Sequence, residues 1–104
     1  MRFDILTLFP EMVETVLATS ITGRAQRAGF LQVVTHQIRA YSEDKHHRVD
    51  DTPYGGGKGI LMRPEPIFAC YEAVRAKTPG MRRKTIYLSP QGAVLTQKKA
   101  EELA

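Results

Sequence analysis

The opening stretch limits the architecture more than any other part of the chain. Phe3, Ile5, Leu6, Leu8 and Phe9 make a short, nearly continuous apolar run, the pattern of a strand covered on both faces rather than one that lines water. Pro10 follows at once and suits a first helical turn. Behind it Met12, Val13, Val16 and Leu17 recur at helical spacing, with Glu11 and Glu14 early in the segment. The pattern predicts a strand over residues 2–8 and a helix over residues 10–18.

The rest of the chain keeps this alternation. Thr22 and Gly23 are expected to start a second short helix over residues 24–28, which Gly29 stops. A strand rich in β-branched residues follows over 30–37. Pro64 and Pro66 open a helix that carries Ile67, Phe68, Cys70, Tyr71 and Val74 along one side, and Thr78, Pro79 and Gly80 end it. That stripe, with Met12 and Val16, is expected in the core. A further strand is predicted over residues 85–88, then a turn through Ser89, Pro90, Gln91 and Gly92, then a helix capped by Thr96 that holds Lys98, Lys99, Glu101, Glu102 and Leu103. Strands alternating with helices predict the α/β class, a mostly parallel sheet flanked by helices and joined by right-handed crossovers.

At 104 residues, 42% of them hydrophobic and 25% charged, the chain has room for one domain with its own core. Its only cysteine is Cys70, which excludes a disulfide scaffold, a zinc ribbon and a thioredoxin-type site, and fits a reducing, cytoplasmic setting. No apolar run approaches the ~18 residues of a membrane span, and Met1 leads into Arg2, Phe3 and Asp4 with no signal-peptide core. The formal net charge of +4 leans toward an anionic partner such as nucleic acid. The densest basic stretch runs through Arg75, Lys77, Arg82, Arg83 and Lys84 without an acid between; a solvated helix end and a phosphate contact fit it equally. Glu101, Glu102, Leu103 and Ala104 stop within a helical pattern with no Gly, Asn or Pro, so we expect a piece of a longer chain.

Residues 39–59 have no periodicity and hold most of the histidine, glycine and charged content, as a functional loop would. Tyr54, Gly55, Gly56, Gly57, Lys58 and Gly59 place four glycines in five positions, which lets a flat ligand or a phosphate approach bare backbone amides. A phosphate-binding P-loop needs Lys followed by Ser or Thr, and Lys58 precedes Gly59. The dinucleotide fingerprint fails as well, because the spacing here is GxGxG. A plain flexible turn remains an alternative. His46, His47, Asp50 and Asp51 have poor spacing for a metal, and a solvated loop explains them more simply. Ionised Asp is acceptor-only, so the paired carboxylates could instead receive the adjacent N1 and N2 donors of a guanine edge. Tyr87, Leu88, Ser89, Pro90, Gln91 and Gly92 put a polar turn directly after a strand, where open α/β sheets bind small molecules, although an ordinary loop has the same pattern.

Taken together the chain resembles the N-terminal part of the bacterial tRNA (guanine-N1)-methyltransferases, trefoil-knot enzymes of the SPOUT class. The likeness runs through Leu8, Phe9, Pro10, Glu11 and Met12; Thr22, Gly23, Arg24 and Ala25; Lys45 and His46; Val49, Asp50 and Asp51; Pro53 to Gly57; Gly59; and Tyr87 to Gly92. Lys58 stands where proline is common, and Ile60 where methionine is common. The resemblance implies methyl transfer from S-adenosylmethionine to N1 of the guanine just 3′ of the anticodon, carried out by a homodimer. It implies that Tyr87, Leu88, Ser89, Pro90, Gln91 and Gly92 form one wall of the cofactor pocket at the knot. On the tRNA side it implies that Asp50 and the Gly59 backbone meet the guanine before the target, with Arg24, His46, Tyr54, Gly55, Gly56 and Gly57 on the surface facing the anticodon stem-loop. It also brings in Mg2+, for which no residue is assigned.

The family's other cofactor loops, its aspartate base and its helical C-terminal tRNA-binding domain are expected beyond Ala104, so residues 1–104 are read as an incomplete N-terminal portion of the methyltransferase domain, inactive by itself. Guanine N1 carries a proton and has no free lone pair, so methylation needs a positioned base. No catalytic residue is assigned in this chain. The competing reading is a non-catalytic RNA-binding module built on the basic patch and glycine loop; such a module has no reason to pair that loop with the Leu88 to Gly92 turn.

Overall fold

The computed structural model describes residues 1–42, 50–51 and 61–104. Strands β1 (Arg2–Thr7) and β2 (Gln32–Gln37) pair in parallel, in register from Arg2 opposite Gln32 to Thr7 opposite Gln37. Two helices between them, α1 (Pro10–Leu17) and α2 (Ser20–Arg27), form the crossover that a parallel pair requires. After a 3-10 turn, Ile38–Tyr41, come the short strands β3 (Asp50–Asp51) and β4 (Leu61–Met62), helix α3 (Pro64–Lys77) and helix α4 (Gln97–Leu103).

Successive strand residues face opposite sides, so Thr35 and His36 mark the two faces of the sheet. On the first, the Thr35 hydroxyl donates to the Glu14 carboxylate of α1 at 2.5 Å. On the second, Leu6 and Leu8 meet Ile38, Tyr41, Ile67 and Cys70, the last two from α3. Helices therefore cover both faces, as the α/β expectation requires. The core sits on the α3 side, where Cys70 is fully buried and Ile38 and Val74 nearly so.

Boundaries follow local chemistry. Gly29 has φ +83°, its amide donates to the Gln26 carbonyl at 3.1 Å, and the Phe30 amide reaches the Ala25 carbonyl at 3.0 Å. These paired bonds close the last turn of α2 and use carbonyls that the helix leaves open. Thr96 caps α4 as expected, its hydroxyl accepting from the Lys99 amide at 3.1 Å.

Four expectations need correction. Helix α2 begins at Ser20, so Thr22 and Gly23 lie inside it. A Cβ on Gly23 would stand 2.1 Å from the Ala18 carbonyl oxygen, so this glycine serves the tight corner between α1 and α2 rather than a helix start. Strand β1 is half-buried, with Phe3 46% exposed. Met12, Val16 and Phe68 are exposed rather than core; α1 turns Val13 and Leu17 inward instead, and among the described residues nothing covers the opposite side. Residues 85–88 are not a strand: they carry no ladder, and Tyr87 and Leu88 are 87% and 88% exposed. A strand is defined by its partner, and no described residue pairs with this segment.

Candidate functional site

Within the stretch expected to be one long loop, Asp50 pairs with Met62 and Asp51 with Leu61 in an antiparallel ribbon. The ribbon fixes the Asp50 and Asp51 backbone beside Leu61 and Met62. Met62 is followed within two residues by α3, which anchors the ribbon to the core helix. The expected roles of His46, Tyr54, Gly55, Gly56, Gly57 and Gly59 fall outside the described residues.

The second candidate segment is an ordered turn at the end of an exposed approach. The Gly92 amide donates to the Ser89 carbonyl at 3.1 Å, and the Gln91 amide to the Ser89 hydroxyl at 3.2 Å. Ser89 is half-buried while Leu88, Pro90 and Gln91 are open. The turn is preformed, and it offers one polar wall with an apolar flank at Leu88. Arg24, the third candidate, is exposed on α2. Among the described residues no hydrogen bond joins Arg24 to the 87–92 turn, so the candidates occupy separate elements rather than one closed pocket. No group of three His, Cys, Asp or Glu side chains is gathered for a metal among the described residues, and none of the described helices is long and apolar enough to cross a membrane.

Sequence reasoning missed a charged cluster on the α3 side of the sheet. The Arg2 guanidinium donates to Asp4 through Nε at 3.0 Å and Nη2 at 3.0 Å, and His36 Nε2 lies 2.9 Å from Asp4 Oδ1. Because an ionised carboxylate only accepts, Nε2 is the donor in that state. Burial alone pushes the Asp4 carboxyl up, but the hydrogen bonds from Arg2 and His36, with their charges, outweigh it and hold the group below its ordinary value. The sequence signal was an acid inside an apolar run, with a histidine in the strand that follows. Cys70 is the converse case: burial pushes its thiol up and Lys77 only partly offsets this. A thiol so enclosed is a packing group rather than a nucleophile.

Comparison with known proteins agrees with the fold. The chain is 52% identical over 104 residues to a tRNA (guanine-N(1)-)-methyltransferase of Lachnospira eligens, covering all of this chain and 44% of that protein. It is likewise 52% identical to the protein of that name from Desulforamulus reducens, of which it covers 41%. The crystal structure of the tRNA (m1G37) methyltransferase from Aquifex aeolicus superposes with a TM-score of 0.80 at 30% identity, over 99% of this chain and 45% of that one. The chain thus spans less than half the length of these relatives. The family model described as tRNA (Guanine-1)-methyltransferase TrmD matches residues 1–104, and the chain belongs to that family.

Proposed function

We propose that a full-length protein carrying these residues methylates N1 of the guanine immediately 3′ of the anticodon in tRNA, with S-adenosylmethionine as the methyl donor. The observation that carries this reading is the likeness to the Aquifex aeolicus tRNA (m1G37) methyltransferase, which extends over 99% of the chain at a TM-score of 0.80. In the reaction the methyl group leaves a sulfonium for guanine N1, and the N1 proton passes to a base. No residue of this chain is assigned as that base.

In this proposal residues 1–104 are the N-terminal portion of a SPOUT methyltransferase domain, and a helical tRNA-binding domain lies elsewhere in the protein. The protein acts as a homodimer in the cytoplasm, where its tRNA substrate is. Tyr87, Leu88, Ser89, Pro90, Gln91 and Gly92 form one wall of the cofactor pocket. Support for this comes from the ordered Ser89 to Gly92 turn. Asp50 and Gly59 contact the guanine before the target, with Arg24, His46 and the Tyr54 to Gly57 segment on the tRNA-facing surface. The backbone pairing of Asp50 with Met62 supports this assignment, since it ties the position of an acceptor-only residue to the chain entering α3. The test is incubation of the full-length protein with unmodified tRNA and labelled S-adenosylmethionine, with the methylated position mapped by a reverse-transcription stop. Label confined to N1 of the guanine after the anticodon is expected; label elsewhere, or none, overturns the reading.

A further inference from the structure

The two ends of helix α3 lie in different surroundings. At its first turn it follows β4; its fourteen residues then carry the chain about 21 Å away. There the last turn and the following segment form an open groove bounded by Tyr71, Glu72, Arg75, Pro79, Met81 and Arg83. Lys77, Arg82 and Lys84 are exposed close by in sequence, so five cations fall within residues 75–84. Among the described residues the ion pairs are Arg2 with Asp4, His36 with Asp4 and Lys99 with Glu102. None of these neutralises Arg75, Lys77 or Arg82.

The groove is also partly fixed in place. The Arg83 Nη2 donates to the Thr78 carbonyl at 2.5 Å, and the Thr78 hydroxyl in turn donates to the Val74 carbonyl at 3.1 Å. Gly80, at φ +73°, turns the chain back so that Arg83 reaches the end of α3. A guanidinium has five donors, and a single bond leaves most of its fork for a ligand. Planar cations held beside a helix end and lacking carboxylate partners suit phosphate oxygens. An acidic peptide would suit the same charge, but five cations spread along residues 75–84 with two guanidiniums on the groove itself favour a partner that is long and regularly charged with phosphates.

We propose that this groove binds the phosphodiester backbone of an RNA stem, about one helix length from β4. The proposal rests on the tRNA reading above and adds to it a sequence-independent contact. Binding of full-length protein to unmodified tRNA and to an unrelated RNA hairpin, across a series of salt concentrations, tests it. Replacing Arg75 and Arg82 together by alanine should weaken both RNAs alike and flatten the slope of log affinity against log salt by about 1 per cation removed. The Arg75→Lys, Arg82→Lys protein should keep the steep slope, and S-adenosylmethionine affinity should be unchanged in both variants.

Unchanged affinity and slope in the alanine variant, with the cofactor still bound, would overturn the groove assignment. So would a loss confined to methylation, or binding of an acidic peptide without RNA. If the wild-type protein binds RNA through these arginines yet transfers no methyl group, the groove stands and the methyltransferase reading fails. If it binds no RNA, both fail.

Discussion

Gly23 and Asp4 show what single residues contribute here. A side chain on Gly23 would run into the Ala18 carbonyl, whose oxygen would be 2.1 Å and carbon 2.6 Å from the new Cβ. Both atoms are backbone and cannot move without opening the corner between α1 and α2. Gly23→Ala should therefore cost about 1–3 kcal/mol, read as a lower denaturation midpoint at an unchanged slope; an unaltered midpoint would mean that the corner is looser than its geometry. Asp4 makes a pH-dependent prediction. Its carboxyl lies below its ordinary value in the fold, so its contribution is complete above about pH 4, the unfolded range, and is lost as pH falls through the lower folded value. Asp4→Asn should remove that part of the acid sensitivity and destabilise the protein at neutral pH, because Arg2 and His36 lose a charged acceptor. Equal acid sensitivity in the mutant and the wild type would show that other carboxylates govern the acid limb. Neither role was legible in the sequence. Gly23 reads as a helix signal because local rules cannot see a neighbouring helix, and the Asp4 to His36 contact joins residues 32 apart.

At the scale of elements, segments with a strong period were legible and those defined by a partner were not. Strand β1, helix α1 and helix α3 announce themselves through continuous or helical spacing bounded by Pro or Gly, and each lies within two residues of its expected limits. The β3–β4 ribbon has two residues per strand, too few for any periodicity to register. Residues 85–88 fail in the opposite sense: they have strand-like residues but no ladder among the described residues. The ribbon sharpens a prediction for Asp50. Its backbone pairs with Met62, and an ionised carboxylate can accept the paired N1 and N2 donors of guanine, which adenine lacks. In the full-length protein Asp50→Ala should lose about 1.5–3 kcal/mol of charge-assisted bonding, a tenfold to hundredfold drop in kcat/KM, while cofactor affinity is kept. The drop should be larger for tRNAs with guanine before the target than for those with adenine. A carboxylate that only braces its own loop would reduce both in the same proportion, so kinetics on the two tRNAs decide between these roles.

At the scale of the whole molecule, the fold class was legible because alternation of strands and helices survives in any part of an α/β layer, whereas the site was legible only as separate segments. Binding free energy depends on how many of a ligand's faces are met at once, since the cost of immobilising it is incurred in full even by a partial pocket. In these 104 residues the turn expected to touch the cofactor has Tyr87 and Leu88 almost fully exposed, and the groove bounded by described residues lies elsewhere, at the end of α3. One polar wall and one apolar flank leave the adenine, ribose and methionine moieties largely in water, where they gain little over the free state. The 104-residue chain by itself should therefore bind S-adenosylmethionine weakly or not at all in a calorimetric titration, while a protein of its relatives' full length binds it with measurable heat and defined stoichiometry. The comparison also separates two accounts of the exposed segment. If Tyr87 to Gly92 is one wall among several, affinity appears only in the longer protein. If instead the short chain bound the cofactor as tightly as the long one, that turn would be nearly the entire site, and the division of the pocket between separate parts of the protein would be wrong.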